Sequence, residues 1–134
     1  MKAMVLEKIA SLTENPEPLK LKEVPTPEPG PGEVLLKVYA CGVCHTELDE
    51  IEGRTPPPNL PIILGHEVVG RVEKLGPGAN KHRIGDRVGV AWIYFSCGKC
   101  RFCLSGNENL CGEFRATGRD ANGGYAQFMV CLLY

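Results

Sequence analysis

Apolar and polar positions along this chain fall into short runs broken by glycine and proline, the rhythm of strands joined by tight turns. Lys2 to Leu6 is an apolar stretch, and Leu19 to Val24 alternates apolar with polar residues as a half-buried strand should. Val34 to Ala40, rich in Val, Leu and Tyr, reads as a buried strand. Further strands are predicted over Val68–Val72, Arg87–Ala91 and Tyr125–Val130, each bounded by Gly, Pro or Asn-Gly turn signals. Pro25, Pro27, Pro29 and Pro31, with Gly30 and Gly32, make a stiff turn before the third strand. One short helix is predicted from Thr46 to about Glu52, with Gly53 placed to end it and Pro56, Pro57, Pro58 and Pro61 forbidding its continuation. The class is therefore mainly β, an antiparallel barrel or sandwich with one or two short helices.

Composition narrows this further. At 134 residues the chain has room for one ordinary domain, and 43% hydrophobic residues can bury a core. Glycine and proline together make 27 residues, below the fraction of roughly 25–30% that marks low-complexity disorder. The net charge of −1, with no basic block, argues against nucleic acid as a partner. The apolar N-terminal stretch is broken by Glu7 and Lys8, too early for a signal peptide, and no run reaches the roughly 18 residues of a membrane span. A cytoplasmic protein is expected. No G-x-G-x-x-G stands in a βαβ context, so a Rossmann dinucleotide-binding unit is not expected within residues 1–134. The wholly apolar run Phe128–Tyr134 is unlike a free domain end, which suggests a chain cut from something longer and a face that would self-associate.

Seven cysteines are too many for indifferent packing in a reducing cytosol, where disulfides do not persist. Cys97, Cys100, Cys103 and Cys111 form C-x2-C-x2-C-x7-C, with glycines at 98, 106 and 112 that permit tight turns. Four thiolates on such a loop can close around a tetrahedral zinc and leave no open position, so the site is expected to be structural. Free buried thiols fit poorly beside Lys99, Arg101, Glu108 and Asn109; disulfides and an iron–sulfur cluster are the remaining alternatives. The cluster is disfavoured because seven residues precede the fourth cysteine and glycine, not proline, follows it.

A second constellation lies around Cys44, just past a predicted strand, and His66-Glu67, just before another. Thiolate, imidazole and carboxylate are all zinc ligands, but the spacing alone fits unrelated core or loop residues better. Taken in order, Gly42-Val43-Cys44-His45-Thr46, Gly65-His66-Glu67-Val68-Val69-Gly70, Gly85-Asp86-Arg87-Val88 and the four-cysteine loop resemble the N-terminal catalytic domain of zinc-dependent alcohol dehydrogenases of the medium-chain dehydrogenase/reductase family.

That resemblance implies a GroES-like β-barrel over residues 1–134, with a cofactor domain outside it. It implies that Cys44 and His66 are ligands of a catalytic zinc, that Glu67 can exchange onto the metal and that Glu47 supports the ligands. Thr46 matches a hydroxyl that passes on the alcohol proton, though it could equally be a helix N-cap. His45 matches a contact to the cofactor pyrophosphate, and Trp92 an aromatic that narrows the substrate pocket, with a surface histidine and a core aromatic as the plainer readings. Relatives place a histidine at the outer end of the proton path, where this chain has Asp49 and Glu52. The implied function is zinc-assisted hydride exchange between a small alcohol, aldehyde or ketone and NAD or NADP, in a homo-oligomer. The alternative is a zinc-stabilised binding or assembly module without catalysis, which needs only the four-cysteine site.

Overall fold

The computed structural model describes residues 1–132. In chain order the strands are β1 (Lys2–Leu6), β2 (Leu19–Glu23), β3 (Glu33–Cys41), β4 (Ile62–Ile63), β5 (Val68–Leu75), β6 (Arg87–Val90), β7 (Ile93–Phe95), β8 (Arg115–Ala116) and β9 (Phe128–Leu132). Two short helices, α1 (His45–Glu52) and α2 (Arg101–Leu104), and a 3-10 turn at Glu108–Leu110 complete the secondary structure. The strands form three open antiparallel sheets, ordered β2-β1-β4, β6-β5-β3-β9 and β7-β8. Residues 125–127 stitch the first two together: the Met4 amide donates to Tyr125 O at 2.8 Å and the Val38 amide to Gln127 O at 2.9 Å.

The strand pattern follows from which faces can be buried. Val34, Leu36, Val68, Val72 and Met129 meet on the inner face of the four-stranded sheet. A second cluster, Leu6, Ile51, Ile62 and Leu64, seats α1 against the β1 sheet. Helix α1 begins at Cys44, which takes the N-cap position in extended conformation, so Thr46 lies inside the first turn and is not the cap. It ends where Gly53 turns left-handed at φ 79° and returns its amide to the last turn, as its position in the sequence predicts.

The predicted strand from Tyr125 starts only at Phe128, because residues 125–127 bond to β1 and to the segment around Leu64. Strands β4, β7 and β8 and helix α2 are too short to carry a legible period. In the apolar C-terminal run Met129 and Cys131 are buried in β9 against β3, Phe128, Val130 and Leu132 are half-buried, and Leu133 and Tyr134 lie outside the described residues. Among the described residues no helix is long and apolar enough to cross a membrane.

Candidate metal centres

The four-cysteine loop is the connection between β7 and β8. Ligand atoms of Cys97, Cys100, Cys103 and Cys111 all lie within 4.8 Å of one another. Two sulfur pairs are 3.5 Å (Cys100–Cys103) and 3.9 Å (Cys97–Cys103) apart. A tetrahedron with Zn–S distances of about 2.3 Å has edges of about 3.8 Å, so the donor set fits zinc. Backbone amides aim at the sulfurs as well: Cys97 N lies 3.4 Å from Cys111 Sγ, Cys100 N 3.4 Å from Cys97 Sγ and Glu113 N 3.3 Å from Cys111 Sγ. All seven cysteines are free of disulfides.

The second centre is assembled by strand register. Pairing of Cys41 with Val68 across β3 and β5, with the Gly42 amide on Glu67 O at 2.8 Å, brings together residues distant in the chain. Cys44 follows the end of β3 and His66 precedes the start of β5, so a gap of 22 residues closes at one end of the sheet. Here Cys44, Glu47 and His66 offer ligand atoms within 4.8 Å of one another. His66 and Glu47 are buried, and Cys44 is half-buried.

The Glu47 carboxylate joins the two halves. Its Oε2 accepts the Cys44 amide at 2.8 Å, while Oε1 lies 2.7 Å from His66 Nδ1, an ion-pair approach without in-line hydrogen-bond geometry. A carboxylate facing Nδ1 leaves Nε2 to bind a metal, the usual arrangement behind a ligating histidine. Thr46 Oγ1 lies 3.6 Å from Cys44 Sγ. Gly65 adopts φ 98°, and a Cβ there would sit 2.6 Å from the Tyr125 ring and 2.8 Å from Cys41 Sγ, so only glycine lets the chain enter His66 along this path.

The remaining residues singled out by the sequence surround this pair. Glu67 is exposed, and its carboxylate lies where a Cβ on Gly42 would be, 2.4 Å from Oε2. Its carboxylate lies outside the cluster of Cys44, Glu47 and His66. The His45 side chain is 76% exposed, with Nε2 3.6 Å from Asp49 Oδ1; Arg54 holds the same Asp49 and also Glu52. Trp92, between β6 and β7, has its ring centroid 6.5 Å from that of His66 and remains 37% exposed, so it is a wall beside the centre and not a core aromatic.

Two other cysteines are set apart by their surroundings. Burial pushes the Cys41 thiol up to about 11 and the Cys131 thiol up to about 12, so both stay protonated near neutrality. The site contains one group the sequence did not flag. Glu50, one helical turn beyond Glu47, is fully buried with neither carboxylate oxygen hydrogen-bonded, and burial together with the Glu47 charge pushes it up to about 7.

The alcohol dehydrogenase GroES-like domain family matches residues 30–132. An alcohol dehydrogenase from Geobacillus stearothermophilus is 46% identical over 129 residues, covering 96% of this chain and 36% of that protein. One from Rhizobium meliloti (strain 1021) is 50% identical over 113 residues, 84% of this chain and 33% of that protein. Among solved structures, a cobalt- and zinc-bound thermostable alcohol dehydrogenase from Pyrobaculum aerophilum matches with a TM-score of 0.89 at 36% identity, over 98% of this chain and 39% of that one. The chain thus spans about a third of the length of the curated relatives it matches. With sequence, fold and both cysteine-bearing centres in agreement, the chain belongs to the alcohol dehydrogenase GroES-like domain family.

Proposed function

We propose that these residues form the metal-binding half of a zinc-dependent oxidoreductase that exchanges a hydride between a small alcohol, aldehyde or ketone and NAD or NADP. The observation that carries the proposal is the convergence of Cys44, Glu47 and His66 at one end of the β3–β5 pair, separate from the four-cysteine loop. A purely structural module would need only the loop. Zinc held there would supply a Lewis acid for the substrate oxygen. The redox chemistry belongs to the dinucleotide, held by residues outside this fold, since every strand pairing in the described sheets is antiparallel.

This chain's side chains then divide the remaining work. Cys44 Sγ and His66 Nε2 would hold the metal, with the Glu47 carboxylate facing Nδ1 behind the ligating ring. Glu67, whose carboxylate lies over Gly42, would be the carboxylate that exchanges onto the metal. The Thr46 hydroxyl, beside Cys44 Sγ, takes the alcohol proton and passes it outward. His45 reaches into solvent to meet a cofactor phosphate, and Trp92 narrows the substrate side. Seven unbridged thiols suit a reducing, cytosolic setting. The test is alcohol-dependent reduction of NAD or NADP by the longer protein that carries this domain. Turnover abolished by Cys44→Ala is the expected result; undiminished turnover in that variant would overturn the proposal.

A further inference from the structure

The two centres are joined by two aromatic residues, Phe114 and Trp92, that belong to neither ligand set. Phe114, three residues past Cys111, places its ring 5.1 Å from that of Trp92, and Trp92 places its ring 6.5 Å from that of His66. The same short segment grips Trp92 by its backbone. The Thr117 amide donates to Trp92 O at 2.8 Å, and the Thr117 hydroxyl to Ala91 O at 2.9 Å. Strands β7 and β8, which these residues flank, share only the Ile93–Ala116 and Phe95–Arg115 pairs. A two-stranded ribbon of that size is marginal on its own. What closes it is the loop from Cys97 to Cys111, drawn together at its four sulfurs.

We propose that Phe114 is a specificity-determining positioning residue, through which the metal of the four-cysteine loop holds the Trp92 indole against the His66 side of the second centre and so sets the width of the substrate space there. This rests on the function proposed above for the second centre. Phe114 is itself no ligand of either metal: it is half-buried, is tied to the loop where its amide donates to Cys111 O at 3.0 Å, and meets the indole at 53°. Tilted rings at this separation attract beyond their buried area. Removal of the loop's metal frees Cys111, then Phe114, then the indole; removal of the Phe114 ring breaks the same chain while leaving the metal in place.

Trp92 is the only tryptophan, so its emission reads the contact without any turnover. The comparison is made in a Cys44→Ser background, where zinc occupies the loop alone, between Phe114, Phe114→Tyr, Phe114→Leu and Phe114→Ala, with zinc content measured on each. The expected result is that the Leu and Ala variants keep their zinc yet show red-shifted Trp92 emission and stronger acrylamide quenching, while Phe114→Tyr matches the parent. Zinc removal should then shift the parent and Phe114→Tyr far more than Leu or Ala. Parental emission in zinc-loaded Leu and Ala variants, or an equal response of all four proteins to zinc removal, would overturn the proposal. Width is read with Cys44 restored and cobalt at the second centre, from the visible spectrum on titration with imidazole and 4-phenylimidazole. Phe114→Ala should favour the bulkier ligand over imidazole by about tenfold more than the parent does; an unchanged preference would overturn the specificity claim. Failure of cobalt to bind at Cys44 and His66 would instead count against the proposed function, and the Trp92 comparison does not depend on it.

Discussion

Glu47 Oε1 lies 2.7 Å from His66 Nδ1, while the other oxygen of the same carboxylate accepts the Cys44 amide, so a single buried side chain fixes both candidate ligands. Removing it leaves the ligands in place but frees the imidazole to turn. Glu47→Gln, of the same length without the charge, is expected to weaken metal binding at Cys44 and His66 by about 10–100-fold. Competition of the domain with a zinc-responsive dye measures this; an affinity unchanged by the substitution would separate Glu47 from the metal.

The four-cysteine loop should respond differently. Cys97→Ser or Cys111→Ser opens a closed shell whose binding energy is also folding energy. Both melting temperature and zinc content should fall together. If either variant kept its zinc and its melting temperature, the loop would not be a structural metal site.

Glu50 gives the domain a pH signature. Its carboxyl is raised to about 7 in the fold from an ordinary value near 4.5, by burial first and the Glu47 charge second. Between those two values the folded state keeps a proton that the unfolded chain has released, so stability falls as pH rises through this window and the full penalty is present above about 7. Glu50→Gln is expected to remove it and to stabilise the domain at pH 8 by roughly 1–3 kcal/mol, with no gain at pH 4. Denaturant unfolding at both pH values checks the sign; a gain equal at both would mean that titration of Glu50 is not the cause.

Gly65→Ala should be among the most damaging single changes outside the ligands. The new Cβ would meet both Tyr125 and Cys41 at a φ of 98°, at a combined cost of roughly 2–5 kcal/mol. Because the next residue is His66, metal binding at the second centre should weaken in the same variant. Calorimetry with and without zinc reads both effects; a melting temperature within a degree or two of the parent would contradict the tight packing at Gly65.

The 134-residue chain by itself should not oxidise alcohols, even when loaded with zinc. Positioning of the nicotinamide supplies about 7–11 kcal/mol of barrier reduction, and the described sheets offer no dinucleotide-binding unit to do it. NADH absorbance with primary and secondary alcohols tests this, and zinc-dependent turnover abolished by Cys44→Ala would contradict it.

Much of this organisation is legible in the sequence because local chemistry agrees with the fold. The strand over Leu19 to Glu23, the buried start of β3 at Val34–Leu36, the helix stop at Gly53 and the cysteine spacing each carry their own signal, although Leu21 and Tyr39, expected to be buried, stay exposed. The second centre is legible only through resemblance, since Cys44 and His66 meet by the β3–β5 register and not by spacing along one element. Glu50 escapes notice because the acidic run Glu47–Glu52 looks solvated, and only packing of α1 over Leu6 and Leu64 turns that position inward. Phe114 sits in a turn with no period at all, and its partner Trp92 is held by Thr117, just past the two-stranded β7–β8 ribbon.

Metal stoichiometry is the most direct test of a domain with two separate centres. Zinc per chain, measured by mass spectrometry on the parent, Cys44→Ser and His66→Ala proteins after dialysis, is expected to be two for the parent and one for each variant, with the remaining ion removed only as the four-cysteine loop unfolds. A single zinc in the parent that neither substitution removes would contradict it.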